Sequence, residues 1–249
     1  MPMSLSTRAI LTGHTRGLGA ALAQLLLAQG VEVLAISRTR NDELAARHPG
    51  QLHEVDLDLA DLTAVSEWLS GDALSRFVSG AGRVLLINNA GMLAPVGALA
   101  DQEPAAVARA VSVNVAAPMM LAAAVVQASA QAADTRIVHI SSGAARNAYP
   151  GWSVYCATKA ALDHHARAVA LDSNRALRIC SVAPGVVDTD MQAEIRGTNL
   201  ERFPMRERFD ALKRDGQLAT PGQSARKVID YLLSDAFGEM PTADVRELK

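Results

Sequence analysis

The chain has 249 residues, with 24 basic and 26 acidic side chains and a formal net charge of -2. Hydrophobic residues make up 49% of it, enough to bury the core of one large domain. The near-balanced charge, with no Lys/Arg block, argues against nucleic acid as a partner.

The opening residues, MPMSLSTRAILTG, hold no long apolar segment before a cleavage site, so no signal peptide is expected. No apolar run is read as reaching the ~20 residues that span a bilayer. A cytoplasmic protein with no membrane partner is the expectation. Cys156 and Cys180 sit in apolar surroundings and read as buried thiols of a reducing compartment.

In chain order, residues 9–11 end a short apolar strand. TGHTRGLG follows, with Gly13, Gly17 and Gly19, and then AALAQLLLAQG reads as a helix closed by Gly30. VEVLAIS, residues 31–37, is a second strand. Strand, glycine-rich turn, helix, strand is half of a dinucleotide-binding unit. Glycines there permit a tight turn and close approach to a pyrophosphate, which a helix N-terminus attracts.

The second strand ends in Ser37-Arg38-Thr39-Arg40, with no acid until Asp42. A guanidinium matches a phosphate, whereas an acid would repel it. This favours NADP(H) over NAD, with Arg16 in the loop as a second positive group. The bland alternative is a solvated basic turn.

Residues 41–48 read as a short helix and 51–56 as a third strand, where Asp56 either faces the adenine edge or begins a turn. Residues 59–71 form a helix and 83–87 a fourth strand, all apolar after Arg83, as expected of a parallel strand covered on both faces. Asn88-Asn89-Ala90-Gly91 then leaves its carboxyl end, where open parallel sheets bind ligands. Residues 101–130 form a long Ala-rich helix. Asn114 inside it needs a bonding partner if buried, and Pro118 implies a local kink.

Residues 135–141 are the fifth strand and deliver Ser142. A helix over 152–174 carries Tyr155 and Lys159, four apart and so on one face. A nearby ammonium favours phenolate and lowers a tyrosine pKa, and a serine can orient a carbonyl while the tyrosine gives it a proton. The small faces of this helix, Ala157, Ala160 and Ala161 among them, suggest a subunit interface. His164 and His165 lack companion ligands and read as packing or surface residues, and no metal site is expected. Residues 177–183 are the sixth strand. Thr189 either binds a carboxamide or caps the next helix. Residues 190–218 read as a substrate-side flap, 220–234 as a helix, and 238–248 as a weak strand or tail. With no linker or repeat, residues 1–249 are expected to form a single doubly wound α/β domain of Rossmann type. Its sheet has about seven parallel strands with helices on both faces.

Four pieces in order resemble the short-chain dehydrogenase/reductase family over residues 8–235: TGHTRGLG, NNAG, the set Asn114, Ser142, Tyr155 and Lys159, and PGVVDT. The resemblance implies that Tyr155 is the acid/base and that Ser142 orients the carbonyl. Lys159 binds the nicotinamide ribose and lowers the Tyr155 pKa. The main-chain carbonyl of Asn114 holds a water. It assigns cofactor contacts to Thr12, Gly13, Thr15, Arg16, Gly17, Leu18, Gly19, Arg38, Asp56, Asn89, Ala90 and Gly91. The same assignment covers Tyr155, Lys159, Pro184, Gly185, Val187 and Thr189. SRT at 37–39, SSGAARNAYPGWSVYCATKAAL and ERFDALKRDGQL are similar to the sepiapterin reductase and benzil reductase subgroup, which uses NADPH. His14 and the tail GEMPTADVREL depart from the usual pattern. Ser142, Tyr149, Trp152, Tyr155 and Met191 are the candidate contacts to a small carbonyl substrate. The expected activity is NADPH-dependent reduction of a ketone or 1,2-diketone by a homodimer, or a tetramer. The alternatives are an oxidative alcohol dehydrogenase and a non-catalytic NADP(H) sensor.

Overall fold

The computed structural model describes residues 5–248. Seven strands form one parallel sheet in the order β3-β2-β1-β4-β5-β6-β7. They are β1 Thr7–Thr12, β2 Glu32–Ser37, β3 Leu52–Asp56, β4 Arg83–Asn88, β5 Asp134–Ile140, β6 Leu177–Ala183 and β7 Thr242–Asp244. The helices are α1 Gly17–Ala28, α2 Asp42–Arg47, α3 Leu62–Ser70, α4 Ala73–Val78 and α5 Pro104–Val111. They continue with α6 Ala117–Ala128, α7 Ser153–Val169, α8 Asp190–Gly197, α9 Arg206–Arg214 and α10 Pro221–Leu233. This is the doubly wound α/β fold expected.

Central strands are buried on both faces, which explains their unbroken apolar runs. One face packs on α1 and α10 through Leu22, Leu26, Val228 and Leu232. The other packs on α3, α4, α6 and α7 through Val65, Leu74, Leu121, Val125 and Ala166. Arg136 on β5 is wholly buried, and its guanidinium donates to Asp134 and to the carbonyls of Leu232 and Ser234. That network satisfies a buried charge and fastens the end of α10 to the sheet.

Three expectations are corrected, and a fourth, a local kink at Pro118, meets an irregularity: α5 and α6 are joined by one wide turn, Ser112–Ala116, just before it. Pro118 has no N–H, so the carbonyl of Asn114 four residues earlier lacks its α-helical donor. The run Pro104–Ala128, 25 residues with a mean hydropathy of 1.7 over its most apolar stretch, is long and apolar enough to cross a bilayer by length and composition. Arg109 and Asn114 hide that continuity in the sequence. Here 39% of its most apolar stretch is buried within the domain. α7 ends at Val169 rather than near residue 174, in an exposed turn. Cys180 is buried, but Cys156 on the outer side of α7 is only half-buried. The short α4 is an addition that residues 73–78 did not announce.

The Gly-rich turn shows why two of its glycines are required. Gly13 has φ +72°, a region that residues with a Cβ adopt at a cost. A Cβ on Gly19 would overlap the Gly13 carbonyl oxygen and the Asn89 amide. Gly19 therefore lets α1 start directly against β1 and β4. Gly19→Ala is expected to cost at least about 1–3 kcal/mol, read as a lower urea midpoint; an unchanged midpoint would contradict this packing.

Candidate active site

The carboxyl ends of β1, β2, β4, β5 and β6 open into one cavity of about 950 Å³. It is lined by Gly13, Thr15, Arg16, Gly17, Leu18 and Gly19, by Arg38, and by Asn89, Ala90 and Gly91. Ser142, Tyr149, Trp152, Tyr155 and Lys159 line it too, as do Pro184, Gly185, Val187, Thr189 and Met191. Residues from five separate loops thus meet at one sheet edge.

Three candidates do not line the cavity. Thr12 is buried, and its Oγ1 accepts from the N–H groups of Asn89 and Ala90 at 3.0 and 2.9 Å. Asn89 returns the tie, donating from Nδ2 to the carbonyls of Thr12 and Gly13 at 2.9 and 3.0 Å. These bonds lock the Gly-rich turn to the end of β4. Asp56 is exposed and away from the cavity; the chain leaves β3 so that Leu57, Asp58 and Leu59 form the wall instead. Asp58 accepts from Ala60 N and Arg109 Nη2. Burial would raise its pKa, but those two partners and the field of Arg38 hold it below the ordinary range.

Asn114 is the third. Its amide is buried and fully used, accepting from Met92 N at 2.8 Å and donating to Met92 O and Thr158 Oγ1 at 2.8 and 3.1 Å. Thr158 in turn donates to the Tyr155 carbonyl. The side chain therefore braces the loop after β4 against α7.

Ser142 leaves β5 and caps a short 3-10 turn, its Oγ accepting from Ala144 N at 3.1 Å. Tyr155 and Lys159 lie one turn apart on α7, exposed by 6% and 4%. The Lys159 ammonium donates to the Ile140 carbonyl at 2.8 Å and stands 5.7 Å from the centre of the Tyr155 ring. A Cβ placed on Gly91 would lie 3.4 Å from both Lys159 Nζ and Asn114 Oδ1, so the strand end passes close beside the pair.

The expected lowering of the Tyr155 pKa is not found. Burial pushes the phenol up to about 12, and the nearby Ser142 hydroxyl opposes this only in part. Burial also pushes Lys159 down to about 8, against the favourable field of Asp163. Desolvation disfavours both charged forms and is the largest cause of each shift.

The substrate-side wall is aromatic. Trp152 stacks on Phe203 at 4.4 Å and meets Tyr149, Tyr155 and Phe209 at 5.2, 5.6 and 5.4 Å. Met191, Ile195 and Leu212 from the flap join this cluster. Residues 190–218 hold α8 and α9, and Met191, Ile195, Phe209 and Leu212 among them line the cavity. The tail, which gave no site signal, supplies Asp244 and Arg246 to the cavity wall, with the carboxylate accepting twice from the guanidinium. Among the described residues, no group of three His, Cys, Asp or Glu side chains has the arrangement of a metal site.

The turn, the strand ends and the aromatic wall suit a dinucleotide beside a small apolar ligand, and the acid/base set suits redox chemistry on it. Residues 7–200 match the family described as short chain dehydrogenase, and the chain belongs to it. It is an oxidoreductase of a family that uses a nicotinamide cofactor. It is 35% identical to benzil reductase ((S)-benzoin forming) of Bacillus cereus, over 92% of this chain and 94% of that protein. It is 34% identical to sepiapterin reductase of Meriones unguiculatus, over 92% of each. A solved short-chain dehydrogenase/reductase from Burkholderia vietnamiensis is 57% identical, covers 98% of this chain and 99% of its own, and superposes with a TM-score of 0.72.

Thr12→Val is expected to leave the Ala90 N–H without an acceptor and the Asn89 N–H with the Ile87 carbonyl alone, costing about 1–3 kcal/mol. The check is chemical denaturation beside Thr12→Ser, which keeps the oxygen and is expected to stay near wild type.

Proposed function

We propose that the chain reduces a ketone or 1,2-diketone with NADPH, with Tyr155 as proton donor. The observation that carries this reading is that Ser142, Tyr155 and Lys159 share a cavity with the Gly-rich turn. A bound nicotinamide would supply the hydride. The chain's own residues do the rest. Burial keeps the Tyr155 phenol protonated, which suits a group that must give a proton to a forming alkoxide. Ser142 presents a hydroxyl to the same oxygen and stabilises its developing charge. Lys159 adds a positive field below the phenol while it stays protonated.

The choice of NADPH rests on charge at the end of β2. Arg38 and Thr39 line the cavity, and a guanidinium recognises phosphate geometrically. Arg16 lines it too, although Asp190 pairs with it at 3.1 Å. The diketone class rests on the wall of Tyr149, Trp152, Phe209 and Leu212, and on the two relatives' names. A neutral aryl ketone would pack there without stranding a charge. We also propose a homodimer through the outer faces of α5 to α7, where Val111 and Ala157 are exposed.

The test is NADPH consumption with benzil, with chiral analysis of the product. Tyr155→Phe is expected to lose about 100-fold or more in kcat while NADPH binding is unchanged; full activity in that variant would contradict the mechanism. The pH dependence has a defined sign. Lys159 is charged below its pKa and loses that charge as pH rises through about 8, whereas Tyr155 stays protonated to about 12. kcat/KM for reduction is therefore expected to fall on the alkaline side near pH 8, and a flat alkaline profile would contradict this role for Lys159.

A further inference from the structure

His14 sits in the Gly-rich turn at a position that the site described above does not use. Its side chain is wholly buried and does not line the cavity. Nε2 lies 2.6 Å from Glu54 Oε1, and Nδ1 lies 3.2 Å from Ser37 Oγ. A carboxylate only accepts, so Nε2 carries a proton. Glu54, on β3, is 3% exposed. Its Oε1 also accepts from Asn41 N at 2.6 Å, and its Oε2 from Arg40 Nε at 3.3 Å. Ser37 Oγ donates onward to the Thr39 carbonyl.

These contacts enclose one short turn. Residues 37–41 join β2 to α2 and carry Arg38 and Thr39, both exposed and both lining the cavity. Two buried side chains grip the turn at Ser37, Arg40 and Asn41, on either side of Arg38. Asn41 is also fixed as the cap of α2, accepting from Leu44 N.

Glu54 matters for a second reason. It pairs across the sheet with Ala35, two residues before the end of β2. A free carboxylate in this region would accept from a ribose 2′-hydroxyl and repel a 2′-phosphate. Here both oxygens are occupied and turned inward. Burial would raise the Glu54 pKa, but Asn41 N–H, His14 and Arg40 outweigh it and keep the group ionised. An ionised carboxylate that lost His14 would keep only the Asn41 N–H and the exposed Arg40 as partners, and both belong to the turn that carries Arg38.

We infer that His14 is a positioning residue for cofactor choice: it holds Glu54 inward and fixes the turn bearing Arg38, so that the cavity meets a 2′-phosphate with the Arg38 guanidinium and without the Glu54 carboxylate. This rests on the NADPH reading above.

The test is fluorescence titration of the full chain with NADPH and with NADH. The proteins are wild type, His14→Ala, Glu54→Gln and the double variant, with thermal midpoints as a folding check. His14→Ala is expected to bind NADPH about tenfold more weakly, one decade of affinity, with NADH changed by less than about threefold. The double variant is expected to regain most of the loss, because the carboxylate that lost its buried partner is gone. Equal loss for both cofactors, an unchanged NADPH affinity, or no recovery in the double variant would overturn the inference. If His14→Ala does not fold, His14→Asn carries the same expectation, since it keeps a donor but is too short to span both partners. A wild type that binds NADH as tightly as NADPH would overturn the NADPH reading itself, and this inference with it, whatever the variants do.

Discussion

The carboxylate of Asp163 fixes where the chemistry happens. It is buried on α7, and one oxygen accepts from Ser141 at 2.6 Å and from Ser181 at 2.7 Å. Ser141 follows β5 and Ser181 lies on β6, so a single side chain joins the helix to two strands. Arg146 reaches the other oxygen at 3.4 Å and donates to the Ala243 carbonyl, drawing β7 into the same network. A buried charge is costly unless it is paired and bonded, and this one has three partners. Lys159 is one turn back along the helix and Tyr155 two turns back. Pinning Asp163 therefore sets their height above the sheet edge and their distance from Ser142.

The same burial that fixes these groups also sets their protonation. The phenol is held protonated and the ammonium loses part of its stability, both because charge is poorly solvated there. A pair tuned this way is better suited to giving a proton than to taking one. The aromatic cluster around Trp152 extends the dry environment outward, because Phe203 and Phe209 tie the flap to the helix that carries Tyr155. Closing such a site strengthens each interaction within it.

Much of this was legible because local rules agreed with the global fold. Apolar runs bounded by turns gave five strands nearly to the residue, since parallel central strands are apolar on both faces, and apolar/polar alternation gave β3 at the sheet edge. The glycine turn, NNAG and the Tyr155 and Lys159 spacing named residues that line one cavity, since each is a short-range pattern. What escaped depended on partners far away in sequence. Thr12 reads as a ligand contact until its hydroxyl is seen to hold Asn89 and Ala90, 77 and 78 residues away. Asp56 is the acid that the sequence offers at the end of β3, yet it is exposed, and Asp58, two residues on, lines the cavity. The role of the tail follows from β7 pairing with β6, and a three-residue strand has too short a pattern to announce itself. His14 looked like a departure in a small-residue position, and its partner Glu54 lies 40 residues away.

The central claim is that this sheet edge brings a buried phenol and a reduced nicotinamide to one carbonyl. The most direct measurement uses NADPH carrying deuterium on one face of C4, with benzil as acceptor and mass spectrometry of the product. The account predicts an alcohol one mass unit heavier from one labelled face and an unlabelled alcohol from the other. An unlabelled product from both faces would contradict it.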